Sequence, residues 1–307
     1  MASDVKVKSS ALVQSYAAAS QSESTQRSYA QDMRHFKAWG GKVPATAKMV
    51  AEYIAKCSSH LRVATIEHRL IAIHRAHQDR GLESPVNAPL VKKTMEGIRR
   101  SLGVAPRRVR ALVKDDLVEI LVGVAKYKPL RAARDKAMLL LGWAAALRRS
   151  ELVALTTEDI TRHAHGVELL IRRSKTDQRG AGQTVFVPMA KAKERCPVLA
   201  LLGWLEIARI TTGSLFRQIN RHDHLVSQRG LTPQAVAQVV QAAVRSSKGP
   251  EVAATVAAHS LRAGFVTEAA TIGMPVDEIM GVTRHASVAT LYIYIRPVER
   301  RRVRSLL

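Results

Sequence analysis

His259 and Arg262 stand three residues apart in AAHSLRAGF, and His285 and Tyr294 follow, nine residues apart, in TRHASVATLYIYIRP. Side chains at i and i+3 share one helix face, so an imidazole and a guanidinium would point at the same spot. A guanidinium fork matches the geometry of a phosphate. A tyrosine hydroxyl is a covalent nucleophile when neighbours manage its proton and the group it attacks. Upstream, residues 137–147 are apolar on every face, which reads as a buried helix. That run ends in LRRSEL, which drives Arg148, Arg149 and Glu151 into the edge of a core. Charge is costly there unless paired, so those residues need a reason.

Together these residues resemble the signature of the tyrosine recombinase (phage integrase) family. Its pattern is an arginine in Leu-Arg-x-Ser-Glu-Leu, then His-x-x-Arg, then Gly-His or Gly-Trp, with a tyrosine nine residues after that His or Trp. Arg148, His259, Arg262, His285 and Tyr294 match it, while Arg149 falls on the variable position and reads as a surface charge. The glycine is missing: Arg284 stands in its place. Lys175, in Ser-Lys-Thr-Asp between two β-prone runs, looks like the family's β-hairpin lysine, although a loop lysine alone would be bland. The set is specific as a whole and each motif is weak by itself.

The resemblance implies a mechanism. Tyr294 would attack a scissile phosphate in line, leaving a 3′-phosphotyrosyl link and a free 5′-hydroxyl. Arg148 and Arg262 would grip the non-bridging oxygens where charge develops, and Lys175 would protonate the leaving 5′-oxygen. His259 would accept or share the tyrosine proton, His285 would bond a non-bridging oxygen, and Glu151 would orient its neighbours. With guanidinium groups stabilising the charge, neither a metal nor another cofactor is expected. Reverse attack by another 5′-hydroxyl rejoins DNA without ATP. Four subunits acting on four strands would recombine two double-stranded sites through a Holliday junction, which implies a homotetramer. Tyr292 is the rival nucleophile, but a separation of two puts it on another helix face, and the spacing from His285 selects Tyr294.

Composition points the same way. The 307 residues carry Lys+Arg 48 against Asp+Glu 25, a net charge of +23, which favours a polyanion partner. A membrane surface would explain that charge but not the motif. No apolar run approaches the roughly 20 residues that span a bilayer, and MASDVKVKSS lacks the apolar centre of a signal peptide. The expectation is a cytoplasmic protein, nucleoid-associated when bound to DNA. Cys57 and Cys196 lie far apart and read as small buried hydrophobes. The pairs His163/His165 and His222/His224 have no third spaced ligand, so no metal site is expected there.

The elements that must position these groups are mainly helical. Apolar stripes predict four helices in the N-terminal region: Tyr29–Met33–Phe36–Trp39, Met49–Val50–Tyr53–Ile54, Ile66–Leu70–Ile73–His77 opened by a Thr65 cap, and Val91–Met95–Ile98–Leu102. This all-α domain spans 1–105 and resembles the family's core-binding domain. Residues 1–110 hold 19 Lys/Arg and 8 Asp/Glu, so acidic partners for the basic faces are scarce. Arg27, Arg34, Arg69, Lys92, Lys93, Arg99 and Arg100 are the candidate phosphate contacts, joined by Arg107 and Arg108 in a basic linker, 106–113, that Pro106 keeps from helix. Residues 114–307 form the expected catalytic domain. It is α-helical with a small antiparallel sheet in 157–189 (GVELLIRR and QTVFVPM), a helix over 197–210 and another over 233–244. Residues 212–231 read as a polar, basic loop.

Two rival readings share part of this pattern. A type IB topoisomerase would use the same chemistry to relax DNA as a monomer, but a two-domain build of this size favours a recombinase. A DNA-binding protein that has lost catalysis has its one foothold in Arg284, the bulky cation beside His285.

Overall fold

The computed structural model describes residues 12–13, 16, 20–105, 109–174, 177 and 180–300. The chain divides into two compact units, 1–107 and 108–307. None of the described helices is long and apolar enough to cross a membrane.

The first unit contains α1 (Glu23–Ala38), α2 (Ala47–Ser58), α3 (Val63–Gln78) and α4 (Pro89–Leu102). The Ser22 hydroxyl accepts the Thr25 N–H at 3.3 Å and the Thr46 hydroxyl accepts that of Met49 at 3.2 Å. Each supplies a partner to a helix N-terminus that otherwise lacks one. The Thr65 cap is not used. α3 starts three residues earlier, with Arg62 at the cap, because Val63 is buried in the core and its packing carries the helix back past the cap signal. α4 ends at Gly103, whose φ of +73° suits a residue without Cβ. α1 packs on α3 and α2 on α4 around Phe36, Tyr53, Ile54, Ile66 and Ile73. Phe36 meets Tyr53 edge to face, with ring centroids 4.9 Å apart. His77 is a satisfied core histidine: Nε2 accepts the Ala45 N–H at 2.9 Å and Nδ1 donates to the Ile73 carbonyl at 2.8 Å.

The second unit is mainly helical with two small antiparallel sheets. Its order is α5 (Lys114–Val124), α6 (Pro129–Ala144), α7 (Arg149–Ala154), β1 (Ile160–His163), β2 (Gly166–Ile171), β3 (Gln183–Pro188), α8 (Pro197–Ile207), β4 (Arg217–Ile219), β5 (Leu225–Gly230), α9 (Pro233–Thr255), α10 (His259–Thr271), α11 (Val276–Thr283) and α12 (Val288–Arg300). Val167 faces Val187 and Leu169 faces Val185 across the β2–β3 ladder, so alternate side chains reach one core with α6 and α8. In α6 the residues Ala137 to Leu141 are buried, as their uniform apolarity requires. A second cluster, built on Val266, Ile279, Leu291 and Ile295, binds α10, α11 and α12 together.

Two expectations fail in this unit. Residues 212–231 contain the β4–β5 hairpin instead of a loop. Val226 to Arg229 are all exposed, so no alternation of apolar and polar residues announces the strand. Helix continues past Val244 to Thr255, but in two stretches, broken where Gly249 (φ +86°, ψ +171°) leaves the helical region just before Pro250.

Residues 110–112 run along α10. Leu112 donates its N–H to the Ser260 carbonyl at 3.0 Å, and its own carbonyl accepts the Trp143 indole N–H at 2.9 Å. A Cβ on Gly264 would fall 1.7 Å from that carbonyl, so the close approach requires glycine.

Candidate active site

The end of α6 makes the first wall of the site. Ala146 turns left-handed (φ +47°), which breaks the helix and leaves carbonyls facing outward at its C-terminus, where cations are favoured. The Ala146 carbonyl accepts Nη1 of Arg262 at 2.7 Å, and the Ala145 carbonyl accepts Nη1 of Arg284 at 3.3 Å. The chain then enters α7 with Arg148 at the cap. Glu151 reaches back, its Oε2 taking the Arg148 backbone N–H at 2.9 Å and its Oε1 taking the Arg148 Nη1 at 2.6 Å. Oε2 also accepts Nη2 of Arg284 at 2.8 Å. Burial alone would raise the Glu151 carboxyl, but Arg284 and Arg148 outweigh it and hold the group below the usual carboxylate range.

α10 supplies the second wall. His259 opens the helix and Arg262 lies one turn further on. Arg262 is 1% exposed, and among the described residues its Nη2 has no hydrogen-bond partner. Burial, and after it the like charges of Arg148 and Arg284, push this guanidinium down to about 9, which still leaves it charged at neutral pH. A buried, charged donor without a partner is a socket for an anion.

α11 and α12 close the site. Nε2 of His259 lies 2.6 Å from the Tyr294 hydroxyl, with the phenol donating when Nε2 is unprotonated. The shared core beneath α10 and α12 sets this contact, since Tyr294 packs against it from the rim. The Thr283 hydroxyl donates to the Ile279 carbonyl at 2.7 Å, so towards Nδ1 of His285, also at 2.7 Å, its oxygen is the acceptor. The neutral His285 ring therefore carries its proton on Nδ1 and a lone pair on Nε2. Burial first, then the charges of Arg262 and Arg148, depress this histidine to about 4. To donate to a phosphate oxygen it must gain a proton as the anion arrives. A groove of about 550 Å³ opens beside it, lined by Gln183, Thr184, Met280, Arg284 and His285.

The structure thus brings Arg148, Glu151, His259, Arg262, His285 and Tyr294 into one cluster. Lys175 lies outside the described residues; further along the chain the Asp177 carboxylate accepts the N–H groups of Gly180, Ala181 and Gly182 at 3.0, 3.1 and 2.9 Å. Sequence reasoning missed Asp177, Thr283 and the engagement of Arg284. The Asp-x-x-Gly-x-Gly spacing of 177–182 was the legible signal for the first.

The candidate phosphate contacts of the first unit fare unequally. Arg27, Arg34, Lys92, Lys93 and Arg100 are exposed. Arg99 pairs with Glu67 at 2.7 Å and Arg100 with Glu96 at 3.5 Å. Arg69 is turned inward, its side chain 11% exposed, bonding His35 at 3.0 Å and Cys57 at 3.3 Å with Asp32 at 3.8 Å. It therefore serves the interior of the helical unit and is not offered as a surface cation. Arg107 and Arg108 lie outside the described residues.

A phenol seated on an imidazole, beside two guanidinium groups bonded to one buried carboxylate and a third, buried one with an unpartnered donor among the described residues, defines a protein equipped for phosphoryl transfer. Residues 110–301 match the phage integrase family, and the chain belongs to that family, the tyrosine recombinases. It is an enzyme of site-specific recombination, which cuts DNA and transfers strands. It is 33% identical over 284 residues to an integrase/recombinase XerD homolog of Selenomonas ruminantium, covering 90% of this chain and 82% of that one. With the tyrosine recombinase XerD of Mycobacterium tuberculosis it shares 27% identity over 264 residues, 78% of each chain. Among solved structures, the XerH site-specific recombinase on a palindromic difH substrate, post-cleavage, aligns with TM-score 0.61 at 20% identity over 83% of this chain and 70% of that one. A lambda integrase dimer on a COC′ core site aligns with TM-score 0.62 at 16% identity over 94% and 75%. The two structures share the fold of this chain.

Proposed function

We propose that the chain cleaves one strand of duplex DNA through Tyr294 and rejoins it to a different 5′ end. The Tyr294 oxygen attacks phosphorus and its proton passes to Nε2 of His259. The bond from phosphorus to the 5′-oxygen breaks, and that oxygen takes a proton from Lys175. Arg148 and Arg262 hold the non-bridging oxygens, joined by His285 once it is protonated, while Glu151 orients Arg148. Religation is the same path reversed with a new 5′-hydroxyl, so the phosphodiester energy is conserved in the tyrosyl ester without metal or ATP. The helical domain 1–105 and the linker 106–113 hold the DNA, and the catalytic domain, 114–307, acts as a homotetramer on two sites.

One observation carries this reading: the 2.6 Å contact between the Tyr294 hydroxyl and His259, beside a buried Arg262 with an unpartnered donor among the described residues. DNA-bound relatives of the same fold, such as the XerH and lambda integrase complexes, support the choice of substrate. A nicked suicide duplex, incubated with EDTA and no nucleotide, should trap protein on the 3′ side of the break. Protein on the 5′ side, or no trapped complex on any cognate site, would rule it out. Exchange of strands between two labelled sites then separates recombination from simple relaxation.

A further inference from the structure

Arg284 breaks two rules at once. Its backbone lies at φ +56°, ψ +43°, the left-handed region that favours glycine. Its guanidinium is buried, with 3% of the side chain exposed, where a charge demands partners. The partners are there. The left-handed turn ends α11 with the Arg284 N–H on the Met280 carbonyl at 2.7 Å, and the guanidinium then spans Val282 O at 2.7 Å, Ala145 O at 3.3 Å and Oε2 of Glu151 at 2.8 Å.

The consequence falls on Glu151, whose side chain has no exposed surface. One of its oxygens holds the Arg148 guanidinium and the other is shared between the Arg148 backbone and Arg284. Without Arg284 the carboxylate and Arg148 would form a neutral pair, and Oε2 would lose its charged partner in a buried place. With it, two guanidinium groups share one carboxylate, and Arg262 nearby feels the charges of both arginines and of Glu151. The Arg148 side chain stays 16% exposed, its Nη1 pinned to Glu151 from behind.

We propose that Arg284 is a positioning residue for strand cleavage: by holding Oε2 of Glu151 it fixes the Glu151–Arg148 pair and adds positive charge that a glycine at this turn would lack. The proposal rests on the phosphotyrosyl reading above. Arg284 need not touch the DNA: Nη1 and Nη2 are committed to protein oxygens, and Nε, which has no hydrogen-bond partner among the described residues, is buried.

R284G is the informative variant, because glycine adopts this backbone without strain and should fold, as a melting curve will confirm. Cleavage of the suicide duplex should slow on the order of 10- to 100-fold, the scale of a slightly misplaced catalytic group. Added methylguanidinium, which fits the vacated space, should restore most of that rate. In an E151Q background the same R284G change should cost little more, because the carboxylate that Arg284 holds is gone. Wild-type cleavage by R284G would overturn the proposal. So would equal fold-losses in both backgrounds, which would put Arg284 on the phosphate itself. Should R284G melt below assay temperature, R284M carries the test: it keeps an unbranched side chain but neither the charge nor the donors, and a wild-type rate there overturns the proposal too. Failure of the wild-type chain to form any adduct would strike the phosphotyrosyl reading instead.

Discussion

Both units of this chain are rich in arginine, yet they use it differently. In the helical unit most of the arginines that show contacts meet an acid: Arg27 with Glu23, Arg75 with Asp79, Arg99 with Glu67 and Glu96, Arg100 with Glu96. Those pairs are largely exposed, and such pairs contribute about 0–1 kcal/mol each. In the second unit Arg148, Arg262 and Arg284 crowd around Glu151 with little solvent to screen them. Compensated charge on a wet surface is a face for solvent or for loose phosphate contact. Undercompensated charge in a dry cleft is a built demand for an anion. What distinguishes a site arginine from a surface arginine is therefore its ratio of partners and its burial, neither of which is a property of the residue type.

The comparison breaks most sharply at the nucleophile. Y294F removes a hydroxyl while leaving the ring to pack, so DNA binding and melting should stay near wild type while the covalent adduct disappears. Y292F is the control and should still form it. Denaturing gels of both variants on a nicked duplex decide the matter, and an adduct that persists in Y294F but not in Y292F would shift the register of α12.

The next test asks whether Arg262 is the demanding donor that its burial suggests. R262K keeps a charge but loses the fork that spans the Ala146 carbonyl and the anion socket. Single-turnover cleavage should fall roughly 100-fold, the cost of removing one preorganised donor to a developing anion. The matching change at an already paired surface arginine, R99K, should leave the rate within about twofold, as expected of an exposed pair.

A pH experiment sharpens the electrostatic half of the comparison. His285 sits at about 4, against 6.5 for a free imidazole. Between those values the unfolded chain binds a proton that the native site refuses, so stability falls as pH drops from 6.5 towards 4 and the penalty is absent above 6.5. H285N should flatten that part of the melting temperature against pH. DNA should act in the opposite sense, because a phosphate in the site raises the affinity of His285 for a proton, and binding should take protons up. No uptake near pH 6, by calorimetry in buffers of different ionisation heat, would leave His285 neutral in the complex.

The smallest expected effect concerns the helical unit. Replacing exposed Lys92 and Lys93 with alanine should weaken DNA binding and lower the slope of log affinity against log salt by about 1–2. R69A should leave that slope unchanged and lower the melting temperature, because Arg69 is bound within the helices. The reverse pattern would return Arg69 to the DNA-facing set.

The sequence by itself determined the local features of this protein. Helical stripes such as Tyr29–Met33–Phe36–Trp39, the alternation of Val167, Leu169 and Ile171, and the i, i+3 pairing of His259 with Arg262 depend on short-range periodicity, and each can be read in a line of letters. The spacing from His285 to Tyr294 belongs to the same class, because it spans one turn and one helix. Only the tertiary structure decided that Arg284 meets Glu151, 133 residues earlier, or that Arg69 turns inward to His35 and Cys57. Neither the β4–β5 hairpin, where Val226 to Arg229 of β5 face solvent, nor the length of α9 beyond Val244 left a pattern to read. The physical reason is common to all four. Periodicity records which face of an element is buried, whereas the partner met across the core depends on how separate elements dock, and a charged residue reads the same in sequence whether docking leaves it in water or seals it against a carboxylate.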